Sequence, residues 1–388
     1  MKKILSKTLA VVALFAATMT IASCGEKNNG EVGNLDEQAA AIAAQFVDHT
    51  VAPTYTALAA KTEQLVEQLA ALKANPNDAG IAAACNTFLE ARAQWEMSEA
   101  FLFGAAGDFG IDPHIDSWPL DETAFNTLMN NPDMLALLDD EKGDEEAGEL
   151  LSNALLGFHG LEYILFEEGN PKSASQISEN QWVYVVAVAG DLRNRCYQLE
   201  VGWLGDDAPA SHIQKLDDME MQYTVAGGDF SYGENMKNAG LAGSTYRTCV
   251  AAIVAIVQGS IDIADEVGTS KIYSAYQGGD PTYIESPYSY MSITDFHNNI
   301  VSIRNSYMGG VEGQRDESKS LHRLMQSLDS DLDGRVIAAI DNAIAKIDAM
   351  PAPFALHYTE AANGDAVEAC SALSSTLDEV IEVINNNN

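Results

Sequence analysis

The chain has 388 residues, of which 57 are acidic and 21 are basic, so its formal net charge at pH 7 is −36. A field of that sign repels nucleic acid and anionic lipid headgroups and attracts cations, which argues against a nucleic-acid partner. Apolar residues make up 47% of the chain. That is enough for sizeable cores, and the length supports two domains.

Residues 1–23 are predicted to be a secretory signal, because a basic start with Lys2 and Lys3 precedes an apolar stretch and a group of small residues. Cys24 follows that group as in a bacterial lipobox, so cleavage before it leaves a lipid-modified N-terminus. The alternative is an ordinary signal peptide with an accidental cysteine. Residues 24–35 are then a flexible tether. We expect a bacterial cell-envelope protein, on the periplasmic face or the cell surface, held to its membrane by this anchor alone.

Helical periodicity dominates the rest of the chain, and the predicted fold class is all-α. Between Tyr55 and Leu72, for example, apolar residues recur at intervals of three and four, which is the spacing of one helix face. Long helices are predicted at 36–74, 79–103, 145–167, 176–204, 241–266, 292–308, 331–349 and 362–385.

Two helical domains are predicted, one over 36–226 and one over 241–388. The linker at 227–240 opens a stretch rich in Gly, Asn and Ser, and four long helices lie on each side of it, as two four-helix-bundle-like halves require. The helices at 79–103 and 292–308 both end near an aromatic residue and a glycine. Duplication of one half explains this similarity between the two helices, but chance resemblance between two amphipathic helices explains it about as well.

The strongest functional candidate is the sequence Gly157-Phe-His159-Gly-Leu-Glu162, which lies within an apolar helical run. His159 precedes Glu162 by three residues, so both side chains leave the same side of the helix about one turn apart. An imidazole and a carboxylate in such surroundings need a partner, because burying an unpaired charge is costly. A bound metal ion would satisfy both.

Further ligands must come from elsewhere in the chain, since a metal site needs at least three protein ligands, or two and water. Glu99, Asp116 and Glu285 are the candidates. The alternative is a buried His–Glu pair that only stabilises helix packing, and spacing alone does not separate the two. If the chain were a peptidase, Glu162 would be the general base. The His-Glu-x-x-His helix of zinc proteases is absent, so the catalytic residues stay unknown.

Together these motifs resemble those of the imelysin-like proteins, which are classed as M75 peptidases. The resemblance spans roughly residues 36–386 and implies two related four-helix bundles, with a site between them near the His-x-x-Glu helix. The shared motifs are Gly157-x-His159-x-x-Glu162, the helix from Trp95 and Glu99 to Gly104, the Ile-Asp-Ser-Trp-Pro loop at 115–119, the Lys271-Ile…Ala275 segment and the Glu285-Ser-Pro-Tyr-Ser289 loop.

Carried over residue by residue, the resemblance implies a ligand set and a pocket. The metal ligands implied are His159, Glu162, Glu99, Asp116 and Glu285, and the residues that shape the ligand pocket are Trp95, Trp118 and Ser289.

The family includes an insulin-cleaving membrane protease, iron-regulated envelope proteins and the periplasmic component of a ferrous iron or haem uptake system. The leading hypothesis is therefore a lipid-anchored protein of iron uptake. It would bind a metal ion or metal-containing ligand between the bundles and hold it for a membrane transporter. An oxygen-rich site with one imidazole suits a divalent or ferric ion, with iron favoured, manganese also suited and zinc tolerated.

Two other functions remain open at this point. One is a zinc-dependent endopeptidase that uses His159 and Glu162 as ligands. The other is a metal-free module that binds peptide or glycan through the aromatic loops. The cysteines at 85, 196, 249 and 370 each lie in an apolar helical pattern without a Cys-x-x-Cys pair. Buried free thiols are predicted for them, with up to two disulfides as the alternative.

Overall fold

A computed structural model of the chain describes residues 31–388, with side chains from residue 35 onward. The predicted signal peptide, Cys24 and most of the predicted tether lie outside the described residues. Nearly all regular structure in the described part is helical, which confirms the all-α prediction.

Within the described residues up to 248, the chain forms twelve α-helices and one pair of very short strands, besides short 3-10 and π-helical turns. The helices are α1 Glu31–Phe46, α2 Ala52–Ala74, α3 Asp78–Glu96, α4 Ala105–Asp108, α5 Ile111–Ile115, α6 Glu122–Met129, α7 Pro132–Leu138, α8 Gly143–Leu150, α9 Gly157–Leu165, α10 Glu179–Leu204, α11 Ala210–Asp218 and α12 Tyr232–Lys237, and the strands are β1 Phe166–Glu167 and β2 Asn170–Pro171.

The second part contributes seven more helices. These are α13 Cys249–Glu266, α14 Tyr273–Tyr276, α15 Ser292–Met308, α16 Leu321–Leu328, α17 Ser330–Asp348, α18 Phe354–His357 and α19 Ala362–Asn386.

In the N-terminal half, α2, α3 and α10 are long helices that pack side by side, and α8 and α9 pack against α10. The inward row of α2 shows why this happens. Leu58, Leu65 and Leu69 are fully buried and share one helix face. Burial of each such side chain contributes about 1.5–3 kcal/mol, so the apolar row of the sequence becomes the packing face.

In the C-terminal half, α13, α15, α17 and α19 pack together, and α1 joins them by packing against α13. The π-helical turn Val47–Val51 connects α1 to α2. Gln45 Nε2 donates a hydrogen bond to the carbonyl of Gly309 at 2.8 Å, and the N–H of Val311 donates to the carbonyl of His49 at 2.8 Å. The earliest described helix is thus tied to the last third of the chain.

One contiguous set of buried apolar side chains includes residues of both groups of helices. Helix α12 forms inside the predicted linker at 227–240, with Tyr232 and Met236 buried. The division into 36–226 and 241–388, and a common origin of the two halves, stay predictions.

The predicted helix at 145–167 is two helices, α8 and α9, separated by a 3-10 turn at Asn153–Leu155. The chain turns to an extended conformation at Leu151, and Gly157 determines where α9 begins. Its φ is +64°, and a Cβ there would lie 1.8 Å from the carbonyl oxygen of Ile115. Only glycine allows both that conformation and that approach. As a result, α9 begins directly against the segment that carries Asp116.

After α9, β1 pairs antiparallel with β2 through two residues each. These strands are too short to show an alternating pattern, and the sequence did not predict them. Two helices of four and five residues, α4 and α5, likewise lie between residues 103 and 145, where no long helix was predicted.

Candidate metal centre

The centre is organised around Arg92, a charged side chain on the buried face of α3. Cys85, Phe88 and Arg92 follow one another at spacings of three and four, and Arg92 is only 2% exposed. Asn77 caps the helix by accepting a hydrogen bond from the N–H of Gly80 at 2.8 Å. The helix that buries its apolar row therefore buries a guanidinium with it.

The guanidinium of Arg92 pairs with three carboxylates. Its Nη1 pairs with Asp116 Oδ1, and its Nη2 lies 2.5 Å from Glu96 Oε1 and 2.5 Å from Glu285 Oε1. Its face lies over the ring of Phe158, with 5.1 Å between Cζ and the ring centroid. Breaking a buried pair of this kind costs about 3–5 kcal/mol. Arg92 therefore fixes the segments that carry Asp116 and Glu285 against α3.

Asp116 follows α5 and is held from two sides. Trp95 Nε1 donates a hydrogen bond to its Oδ2 at 2.7 Å. Burial opposes ionisation of the carboxyl group, but Arg92 and His159 lower the pKa of Asp116 below its ordinary value. The group is a carboxylate at neutral pH.

His159 lies between two carboxylates. Its Nε2 is 3.1 Å from Asp116 Oδ1, and its Nδ1 is 3.4 Å from Glu162 Oε2. Burial alone would lower the pKa of His159, but Asp116 and Glu162 raise it to about 9. Without a competing cation, this imidazole keeps its proton at neutral pH.

Glu162 lies behind the imidazole and is itself held by the loop at 288–289. Its Oε1 accepts hydrogen bonds from the N–H of Tyr288 at 3.1 Å, the N–H of Ser289 at 2.8 Å and the hydroxyl of Ser289 at 2.7 Å. Its Oε2 faces His159. A carboxylate behind the far nitrogen of a histidine is typical of metal centres, where it fixes the tautomer and orientation of the ring.

Lys271 is a second buried cation, and it lies on the π-helical turn Val267–Ile272 at the end of α13. Its Nζ is 3.2 Å from Glu285 Oε1, 3.7 Å from Glu99 Oε1 and 3.8 Å from Glu96 Oε2. Burial would lower the pKa of Lys271, but Glu285 and Glu99 hold it well above its ordinary value. The ammonium stays charged.

Buried carboxyl groups outnumber buried cations in this cluster. The carboxyl groups are Glu96, Glu99, Asp116, Glu162, Glu285 and Asp295, and the cations are Arg92, Lys271 and the protonated imidazole of His159. Burial raises the pKa of Glu96 to about 7 and the pKa of Glu99 and of Asp295 well above their ordinary values. Such shifts mean that the cluster takes up protons unless another cation is present.

Two atoms without hydrogen-bond partners indicate where that cation fits. Oε2 of Glu285 is buried and makes no hydrogen bond, and Nε2 of His159 is not aligned for one despite its distance to Asp116. Ligand atoms of Asp116, His159 and Glu285 lie within 4.8 Å of one another. One ion with ligands at about 2.0–2.2 Å can reach all three after small shifts. This donor set fits iron, manganese or zinc.

The predicted ligands occupy three different places. Asp116, His159 and Glu285 meet at one position. Glu99 forms a neighbouring acidic group with Glu96 and Asp116, again with ligand atoms within 4.8 Å. Glu162 lies behind the imidazole.

The residues predicted to shape the ligand pocket also lie at the centre. Trp95 donates to Asp116, and Ser289 donates to Glu162. Trp118 covers the cluster, with 5.8 Å between its ring and that of His159 and 5.9 Å between its ring and the ammonium of Lys271.

Sequence reasoning missed Arg92, Glu96 and Asp295, and it assigned no role to Lys271. A signal was present for two of them. Arg92 and Glu96 are four residues apart and lie on the face of α3 that also carries Phe88, so two charges interrupt an apolar row. Such charges are almost never fully buried unless they are paired.

Two findings concern the rest of the described chain. The cysteines at 85, 196, 249 and 370 are buried free thiols. No helix within residues 31–388 combines the length and the apolar character that a membrane crossing demands.

The fold and the cluster define a helical protein with a buried histidine–carboxylate centre, and comparison with known sequences gives its family. The imelysin profile, Peptidase_M75, matches residues 51–380, so the chain belongs to the imelysin family. It is 29% identical over 284 residues to Iron-regulated protein A of Synechococcus elongatus, an alignment that covers 73% of this chain and 67% of that protein.

Two crystal structures show the same architecture. A candidate iron-regulated protein A precursor from Parabacteroides distasonis superposes with a TM-score of 0.75 at 28% identity, covering 90% of this chain and 95% of that one. An imelysin-like protein from Psychrobacter arcticum superposes with a TM-score of 0.58 at 14% identity, covering 90% and 93%. The second likeness concerns the fold alone.

Proposed function

We propose that this protein binds a metal ion, iron in the first place, at Asp116, His159 and Glu285, as a lipid-anchored part of iron acquisition in the cell envelope. The observation that carries the proposal is the buried group of Asp116, His159 and Glu285, whose ligand atoms lie within 4.8 Å of one another and whose Glu285 Oε2 makes no hydrogen bond, within a surplus of carboxyl groups. The names of the Synechococcus and Parabacteroides relatives refer to iron regulation, which favours iron over zinc.

Each residue of the centre has a separate task in this proposal. Asp116, His159 and Glu285 hold the ion, and Glu162 orients the imidazole. Arg92 keeps the two carboxylate segments in place when the ion is absent. The ion, when bound, supplies the positive charge that the buried carboxyl groups lack.

Burial favours capture of an ion over hydrolysis of a peptide. None of the proposed ligands is more than 6% exposed, so a peptide bond does not reach them without a large rearrangement. Glu162, the candidate base of the peptidase alternative, uses Oε1 for three hydrogen bonds and directs Oε2 at His159. It has no oxygen left for a substrate water.

The position of the protein in the cell forms part of the same proposal. A lipid on Cys24 would hold the helical part near a membrane, where an ion released from the centre passes to a membrane transporter. The support is the sequence around Cys24 and the strong acidity of the chain, which concentrates cations.

The test is metal analysis of the chain from residue 24, purified without added metal and then titrated with Fe²⁺ under argon, Mn²⁺ and Zn²⁺. We expect about one equivalent of bound iron, lost in His159→Ala and Glu285→Gln. His357→Ala is the matched control, because His357 and Glu360 form an exposed His-x-x-Glu pair with 2.7 Å between Nδ1 and Oε1.

Two results would contradict the proposal. One is a wild-type protein that binds none of the three ions. The other is a His159→Ala protein that binds them as tightly as the control. Chelator-sensitive cleavage of a peptide panel, abolished in Glu162→Gln, would support the endopeptidase instead.

A further inference from the structure

Lys271 reaches the centre because the helix that carries it is irregular. The π-helical turn Val267–Ile272 interrupts the helical run between α13 and α14. Such turns insert one extra residue, re-aim the side chains that follow, and occur frequently at functional sites. Here the turn places a lysine that is 1% exposed inside the acidic cluster.

The contacts of Lys271 differ from those of a simple salt bridge. A paired lysine approaches one carboxylate at about 2.7–2.9 Å. The ammonium of Lys271 instead donates a longer hydrogen bond to Glu285 at 3.2 Å and also lies 3.7 Å from Glu99 and 3.8 Å from Glu96. The ammonium is a compact charge with three donors and no acceptor. It lies among carboxylate oxygens, in the place where an ion with oxygen ligands would lie.

That place is also close to the proposed metal position. Asp116 belongs to the group with His159 and Glu285 and to the group with Glu96 and Glu99. A carboxylate shared by two such groups is the usual bridge of two-metal centres, whose ions lie about 3.5–4 Å apart. The acidic framework for two ions is therefore present. In its second half, Arg92 pairs with Glu96 and Asp116, and the ammonium of Lys271 lies beside Glu96 and Glu99.

We propose that the ammonium of Lys271 is a tethered cation that fills a second ion position beside Glu96 and Glu99, and so limits the centre to one metal ion. The inference rests on the proposed function, because it concerns the stoichiometry of the same centre. Lys271 acts here as a specificity-determining residue that touches no metal itself.

The test counts Mn²⁺ per chain by equilibrium dialysis and elemental analysis, and measures the midpoint of thermal unfolding with and without Mn²⁺. Lys271→Met removes the charge, and Lys271→Arg keeps it. The double variant Lys271→Met/Glu99→Gln also removes one acid of the second position. Lys346→Met is the matched control, because Lys346 forms an exposed pair with Asp365 at 2.9 Å.

We expect one equivalent of Mn²⁺ in the wild type, in Lys271→Arg, in Lys346→Met and in the double variant, and two equivalents in Lys271→Met. Mn²⁺ should raise the unfolding midpoint of Lys271→Met more than that of the wild type, because one of its ions replaces the lost ammonium. If Lys271→Met is insoluble alone, recovery of soluble protein when Mn²⁺ is present supports the inference as well.

Several outcomes would overturn it. If Lys271→Met binds the same number of ions as the wild type, or is insoluble with and without Mn²⁺, the ammonium does not fill an ion position. If the wild type binds one ion and Lys271→Met also binds one, the inference fails and the proposed function stands. If neither binds Mn²⁺, the count is repeated with Fe²⁺ and Zn²⁺, and both fail if neither protein binds any of the three ions.

Discussion

Replacement of Glu162 by glutamine separates a positioning role from direct ligation. The sequence alone assigned Glu162 as a ligand, whereas its contacts place it behind His159, 3.4 Å from Nδ1. Glutamine keeps the shape and one carbonyl oxygen but removes the charge. Its amide N–H₂ also comes near Nδ1 of His159. Nδ1 is a hydrogen-bond donor when the ring ligates through Nε2, so two donors then face each other.

The size of the effect follows from that geometry. Loss of a carboxylate behind a metal-binding histidine typically lowers metal affinity about 10- to 100-fold, which corresponds to about 1.4–2.8 kcal/mol. The three hydrogen bonds to Oε1 weaken as well, because bonds to a charged acceptor contribute about 1.5–3 kcal/mol and neutral ones about 0.5–1.5 kcal/mol. Glu162→Gln should therefore unfold more readily than the wild type, yet still bind metal.

The assay is isothermal titration with Mn²⁺, alongside thermal unfolding of the metal-free protein. Glu360→Gln is the control, since its carboxylate faces an exposed histidine at the same spacing and both measurements should stay unchanged. Unaltered affinity in Glu162→Gln would refute the positioning role. Complete loss of binding in a folded protein would show that Glu162 ligates the ion directly.

Three further predictions concern the scaffold around the centre. Gly157→Ala should unfold the protein or abolish metal binding, because its Cβ would collide with backbone at 1.8 Å. Gly279→Ala is the control and should leave binding unchanged, because Gly279 has a similar φ of +66° but open space around it. Equal effects of the two substitutions would refute the steric role of Gly157. Arg92→Met should lower the free energy of unfolding by about 3–5 kcal/mol in chemical denaturation, and a loss below about 1 kcal/mol would contradict its role. Burial raises the pKa of the thiols of Cys85 and Cys370 to about 12. A thiol reagent at pH 8 should therefore modify both cysteines slowly in the native protein and rapidly after unfolding. Fast labelling of the native protein would show instead that the thiols are accessible.

Much of this fold could be predicted from the sequence because helical periodicity marks the buried face of each helix. The long helices near 179–204, 292–308 and 362–386 illustrate this, since their predicted and observed bounds agree within a few residues. Periodicity does not say which element covers a buried face. For that reason the packing of α1 against α13 could not be inferred from the residues of α1.

The sequence predicted which residues form the candidate centre better than it predicted how their side chains are arranged. His159, Asp116 and Glu285 stood out as polar residues in motifs shared with a known family, and they lie together. Spacing placed Glu162 on the same side as His159 but could not tell which oxygen would be occupied by the loop at 288–289. Arg92 and Glu96 interrupt an apolar row and so signal a buried ion pair, but the other partners of Arg92, Asp116 and Glu285, are distant in sequence and could not be identified from spacing.

The most direct test of the account is the location of a bound ion. Crystals of the chain from residue 24, grown or soaked with Mn²⁺ or Fe²⁺, should give an anomalous difference peak about 2.0–2.3 Å from Nε2 of His159, with oxygens of Asp116 and Glu285 as further ligands and Lys271 still in place. An anomalous peak elsewhere on the surface, with the imidazole still bonded between Asp116 and Glu162, would contradict the central claim.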